Sequence, residues 1–280
     1  SHYLLFSSVR SRKQSTSGRT DAAGTWYLIA EKKEGPWRVP ERPLLLGSGK
    51  GRFDHYVGRT TVFEGQRLLY HHTWGRGKVS WATPKLVSRN PDGSLGLRYW
   101  PRLDTLITKT ALNVPSLAVL AKPGAPELTK LDIECSDFMF TCTIDFSRAD
   151  EATLLWHLHS DLVSVASGLQ IDLRQGSLSM TEVRFSERSI EEFNGNTYLR
   201  YLRDEIARQF ASDKKIGIRI ISRAHQVEVY VDDAWVFSMD MSDLPASGGF
   251  GFLVDSGELR IENVVVSELE DLQRLRGATR

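Results

Sequence analysis

Apolar and polar residues alternate along most of this chain with a period of two, in short runs broken by Gly, Asn, Asp and Pro. A period of two turns one side of an extended segment to a core and the other to water, so it predicts strands. In the first part of the chain it predicts strands at 2–8, 25–32, 43–47, 54–63, 67–74, 79–88 and 94–100. Turn residues such as Gly35-Pro36, Gly65 and Asn90-Pro91-Asp92-Gly93 separate them. Short strands joined by hairpins and rich in Trp and Tyr are the pattern of propeller blades, and residues 1–109 read as two of them. Two blades cannot close a ring.

The pattern changes at 110–128, where Pro115, Pro123 and Pro126 interrupt a stretch with no clear period. That predicts a linker. Residues 129–280 then read as a second all-β module, with strands at 131–146, 152–158, 168–174, 177–185, 215–223, 226–232, 234–239, 248–254 and 258–267. Within it, Val227–Phe237 is a hairpin with Asp232-Asp233 at the turn. Nine strands at this spacing fit a two-sheet sandwich. One segment breaks the period: Leu199, Leu202, Ile206 and Phe210 stand at helical spacing and predict a helix over 196–209. The tail Glu268–Arg276 reads as a short amphipathic helix.

Composition narrows the function without choosing it. The 280 residues are 41% apolar and 25% charged, enough for two modules that each bury a core. Lys and Arg exceed Asp and Glu by one, 36 against 35, so no net field draws the chain to nucleic acid or an anionic membrane. The basic run Arg10–Lys13 reads as a solvated turn. No stretch approaches the roughly 20 apolar residues of a spanning helix. No secretory signal pattern opens the chain, which starts directly on a strand as though cut from something longer, and the compartment stays open. Cys135 and Cys142 are the only cysteines, and they read as two buried free thiols.

Several segments, taken in order, resemble glycoside hydrolase family 32, the invertases, levanases and inulinases. Tyr3–Ser7 and Gly24–Ile29 resemble the opening strands of that family's fourth blade. Asp54-His55-Tyr56-Val57 stands where the family usually has Asp-Phe-Tyr-Ala, and Arg67–Thr73 where it has a Gly-Trp-Met strand. Ser80–Leu86 resembles a Pro-Arg-Glu-Leu segment, with Lys85 in place of Arg. Val227–Phe237 and Gly248–Phe252 resemble the closing sandwich strands. The resemblance implies an all-β fold: the last two blades of a five-bladed propeller followed by a concanavalin-like β-sandwich with one helical insert. It also implies a carbohydrate ligand and a β-fructofuranosidase-like hydrolase.

The chemistry of that family sets a test. Retaining glycoside cleavage uses two carboxyl groups roughly 5–5.5 Å apart, one ionised and one holding a proton. The family supplies them from Asn-Asp-Pro, Arg-Asp-Pro and Glu-Cys motifs in the first three blades. This chain has no Asp-Pro dipeptide, and its one Glu-Cys, Glu134-Cys135, falls at the entry to the sandwich. No catalytic residue is therefore assigned within the chain, and a complementary N-terminal polypeptide or an oligomer partner is expected to supply the pair. Asp54 and Tyr56, at i and i+2 of one strand, are the candidate sugar-binding residues, with His72 and Trp74 on the next strand. Arg59 is a candidate for a charge-assisted bond to a carboxylate from elsewhere.

Other motifs are set aside. His157 and His159 have strand spacing for half of a zinc site, but no cluster completes it, so they read as solvent-facing or hydrogen-bonded. Gly47–Gly51 imitates a phosphate loop without the following helix, and no nucleotide fingerprint or Ser nucleophile elbow is present, so neither a metal nor a cofactor is expected. Glu191-Glu192 reads as a solvated face. The competing functions are a non-catalytic, lectin-like carbohydrate-binding module and a purely structural one. Exposed tryptophans on the sandwich would favour the lectin, but Trp156 and Trp235 both stand in apolar strands and read as core.

Overall fold

The computed structural model describes residues 1–8, 24–47, 55–75, 78–158, 165–185, 198–208, 210, 214–223, 225–241, 244–245 and 247–270. Asp54, His159, the loops at 10–13 and 48–51, Glu191-Glu192 and the tail beyond 270 lie outside them.

Strands β1 (His2–Ser8), β2 (Gly24–Ala30) and β3 (Leu44–Gly47) form a small antiparallel sheet. It packs against a second sheet of β4 (His55–Phe63), β5 (Gln66–Gly75), β7 (Lys85–Arg89) and β8 (Leu95–Arg98), with β6 (Lys78–Trp81) paired to β5. Pro84 lies between β6 and β7, which is why the single expected strand 79–88 is two. A 3-10 helix, Pro101–Leu106, leads into the second module.

That module is a sandwich. One face is a six-stranded sheet in the order β10 (Glu127–Cys135), β19 (Gly248–Val254), β12 (Glu151–Leu158), β13 (Val165–Asp172), β14 (Ser177–Phe185), β15 (Tyr198–Ala207). The other continues the β4–β8 sheet, which joins it where Arg98 of β8 pairs with Ala234 of β18. It runs β18 (Ala234–Asp240), β17 (Gln226–Val231), β16 (Lys215–Arg223), β11 (Phe138–Arg148), β20 (Gly257–Leu269), β9 (Ile107–Ala121), eleven strands in all. Phe138, Phe140, Trp156, Phe250 and Phe252 meet between the sheets. Phe138 stands edge-on to Phe250 at 4.7 Å and Phe140 stacks on it at 5.6 Å. Each such ring, wholly removed from water, contributes about 1.5–3 kcal/mol. Cys135 and Cys142 lie in separate strands, both buried in this core and both free. Burial pushes both thiols up from their ordinary range, Cys142 the further.

The two modules share a core. Tyr27, Ile29, Leu45, Leu69, Leu95 and Leu97 of the first pack with Ile221, Tyr230, Trp235 and Leu269 of the second. Strand β17 makes this possible, because it is covered on both sides. Val227, Val229 and Val231 point into the sandwich, while Tyr230, of opposite parity, points into the shared core. Its hairpin turns at Asp232-Asp233, both at positive φ (52° and 58°), as the sequence implied.

Two expectations fail. The 110–128 segment is not a linker over most of its length: β9 pairs with β20 from Ile107 to Ala121. Pro115 is tolerated because β9 is an edge strand and Pro115 falls opposite the irregularity at Asn263 (φ 54°), where the ladder is already interrupted. The 196–209 segment is not a helix but strand β15, laddered to β14 from Ser177↔Ala207 to Phe185↔Tyr198. Leu199 and Leu202, the stripe a helix would have buried, are 63% and 61% exposed. The free edge of β14 overrides the local period by satisfying the backbone of an aromatic-rich segment.

Candidate functional site

Strand β5 alternates between two environments, and each collects a different chemistry. Its inward residues Leu69, His71 and Thr73 are fully buried. Lys85, also fully buried, places its ammonium 2.7 Å from Glu228 Oε2, 3.1 Å from His71 Nε2 and 3.0 Å from the Thr83 carbonyl. Three donors meet three acceptors. Because the ammonium can only donate, His71 Nε2 accepts, which assigns the proton to Nδ1, 3.2 Å from the His72 carbonyl. Glu228 is completed by the Thr83 amide at 2.8 Å and the Tyr230 hydroxyl at 2.9 Å. Burial lowers the pKa of Lys85, and Glu228 opposes that shift. This network bolts the first module to β17, and no substrate reaches it.

The outward side of the same strand is open. Tyr70 and His72 are half-buried there, with Trp81 of β6, directly opposite His72 in register, 68% exposed. The indole lies 5.8 Å from the Tyr70 ring and 6.5 Å from the imidazole. An irregularity in β4 sets the edge: Val57 has φ 61°, and the next paired residue after Tyr56↔His72 is Arg59↔Tyr70. The Gly58 amide donates to Thr25 Oγ1 at 2.7 Å, and a Cβ at Gly58 would meet that oxygen at 2.9 Å, so the close approach of β4 to β2 requires glycine. Arg59 is exposed beyond the irregularity. Burial, and secondly the charge of Arg59, hold His72 below the ordinary imidazole range. The face thus offers an open indole, a phenol, an imidazole and a guanidinium, which suit stacking and hydrogen bonding to a hydroxylated ring. Strands β4, β5 and β6 contain no Asp or Glu.

Of the residues singled out in the sequence, Arg59 and His72 are brought onto this face. Tyr56 lies opposite His72 in the ladder and Trp74 opposite Val79, with their side chains outside the described set. Sequence reasoning missed Trp81 and Tyr70. Tyr70 shares the parity of His72, a signal that was available; Trp81 required the β5–β6 register. Trp156 and Trp235 are buried, as their apolar strands implied. His157 is buried rather than solvent-facing, edge-on to Phe138 at 5.7 Å. Glu134 is exposed on the edge strand β10. Among the described residues, no group of three or more His, Cys, Asp or Glu could hold a metal ion.

A second polar cluster lies on the six-stranded sheet. Arg200 donates to Glu151 Oε1 at 2.8 Å and Asp255 Oδ2 at 2.7 Å, and sits over the Tyr198 ring at 5.2 Å. Gln170 donates to Glu151 at 2.6 Å, and the Tyr198 hydroxyl donates to Asp255. Both carboxylates are spent on the same guanidinium, an arrangement that braces the sheet rather than dividing acid from base.

No protein-family model and no curated protein matches the chain. Solved structures do. A fructosyltransferase from A. japonicus matches 96% of this chain and 53% of its own, with TM-score 0.60 and 13% identity. A fructofuranosidase from Schwanniomyces occidentalis, complexed with fructosylnystose, matches 96% of this chain and 56% of its own, at 0.58 and 14%. An exo-inulinase from Aspergillus awamori matches 96% and 53%, at 0.55 and 10%. At these identities the likeness is one of fold, and the chain spans about half the length of these enzymes.

Proposed function

We propose that this chain is the C-terminal portion of a glycoside hydrolase acting on β-fructofuranosides, with its catalytic carboxylates supplied by polypeptide outside these 280 residues. In this reading β1–β3 and β4–β8 are the last two blades of a five-bladed propeller, and the remainder is its C-terminal sandwich. The observation that carries the proposal is the outward side of β4–β6: stacking and hydrogen-bonding groups are present, with an exposed Trp81 at their centre, while carboxylates are absent from all three strands. The fold shared with fructan-active enzymes over 96% of the chain supports it.

Assay of the chain alone with sucrose and inulin tests the division of labour. No reducing sugar is expected, but a fructo-oligosaccharide is expected to bind, and Trp81→Ala to weaken that binding at least tenfold. Turnover by the isolated chain would overturn the placement of the carboxylates, and unchanged binding by Trp81→Ala would remove the face from the site.

A further inference from the structure

The outer side of the sandwich carries a hollow that none of the above uses. It is an open cavity of about 220 Å³ floored by β11 and β16 and walled by the Asp232-Asp233 turn. At about 30 Å³ per water, that is room for roughly seven waters or one small polar ligand. Gly217 makes the space: its register partner Thr143 and the neighbouring Thr141 keep their hydroxyls, but nothing projects from position 217 itself. Among the described residues, the side chains of Thr141, Thr143 and Asn263 make no hydrogen bond, so their capacity is unspent.

Arg219 borders the hollow in an unusual state. Its guanidinium carbon lies over the Tyr99 ring, 3.8 Å from the centroid. Its nearest carboxylate oxygens, on Asp233 and Asp104, are at 3.5 and 3.7 Å, beyond normal hydrogen-bond length. Its Nε is buried with no acceptor among the described residues. Its Nη1 also donates to Met139 Sδ at 3.5 Å. The group is therefore held by the ring, this sulfur and two long ion pairs, and it keeps N–H groups without a close oxygen acceptor. Asp232 is held in the opposite way: its two oxygens accept from the Gly217 amide at 2.9 Å and from Arg208 at 3.1 Å, and each retains lone pairs.

Unspent donors on Arg219 alone would invite an anion. Three carboxylates (Asp104, Asp232, Asp233) against two guanidiniums (Arg208, Arg219) disfavour one, and Arg219 disfavours a cation. What remains is a neutral ligand whose groups both donate and accept. We propose that the hollow is a second saccharide subsite, taking one sugar unit whose vicinal hydroxyls accept from Arg219 and donate to Asp232 or Asp233. The hollow itself asks only for a neutral polyol; the choice of a sugar rests on the function proposed above.

The test is a calorimetric titration of the whole chain with a fructo-oligosaccharide, reading the number of sites. Wild type is expected to show two and Trp81→Ala one. Gly217→Val is expected to show one, and the double variant none. A Cβ at Gly217 meets only Asp232 Oδ1, at 3.5 Å, and Val suits a strand, so the variant fills the hollow without strain. Thr143→Val, nearly isosteric, is expected to weaken the site about fivefold by removing one hydrogen bond, and it serves if Gly217→Val fails to fold. A site number unchanged by Gly217→Val, an affinity unchanged by Thr143→Val, or no binding by wild type overturns the hollow as a subsite. A number unchanged by Trp81→Ala instead overturns the β4–β6 face and leaves the hollow standing.

Discussion

Lys85–Glu228 and Arg200–Glu151–Asp255 are both hubs of charge in a β protein, yet water separates their roles. The side chains of Lys85 and Glu228 are 0% and 1% exposed, and every donor and acceptor is matched. In the Arg200 cluster the exposures run from 18% to 28%. A sealed pair keeps its full attraction but has lost its hydration, so its value lies in the penalty for separating it. An open cluster keeps partial hydration and is screened by salt, so its value is modest and adjustable. The first therefore fixes how the modules meet, and the second tunes one sheet.

Glu228→Gln is the sharpest way to break this contrast. It leaves the Lys85 ammonium buried without an anion and is expected to cost about 3–5 kcal/mol in denaturant unfolding. Pairing it with Lys85→Met is expected to recover most of that loss; a double variant as unstable as the single one would refute the account. Arg200→Ala is expected to cost less, about 1–2 kcal/mol. Most of that difference should disappear at high salt, while the Glu228→Gln penalty stays. Equal salt sensitivity would erase the distinction.

Acid acts on the open side of β5. His72 binds its proton less readily folded than unfolded, so stability falls as pH drops below about 6.5 and is complete above it. His72→Gln is expected to flatten the pH 7 to 5 stability slope by up to one proton, and an unaltered slope would show that other groups set it. The smallest expected effect is on stability in Trp81→Ala. A ring already 68% exposed should change unfolding by no more than about 0.5 kcal/mol, so its loss of sugar binding can be read as loss of contact.

The elements that repeat a local rule were legible in the sequence. The Val227–Phe237 hairpin, its Asp-Asp turn and the buried tryptophans all follow from period and turn chemistry. Two elements were not. Strand β15 carries a helical period, and only the unpaired edge of β14 explains why it is extended. Strand β9 looks like a linker until its edge position makes Pro115 harmless. The junction was the least legible. Lys85 reads as an ordinary strand residue and Glu228 as a charge within an apolar hairpin, and nothing local joins two positions 143 residues apart (228 minus 85). For the face on β4–β6, Arg59 and His72 were visible, whereas Trp81 needed a register.

The doubly covered strand β17 also sets a schedule for synthesis. The first module cannot close its core until Ile221, Tyr230, Trp235 and Leu269 have been made. At about 5–20 residues per second, the 143 residues between Lys85 and Glu228 take roughly 7–30 s to emerge from the ribosome. Until then the first module lacks the carboxylate that pairs with Lys85 and the side chains that complete its core.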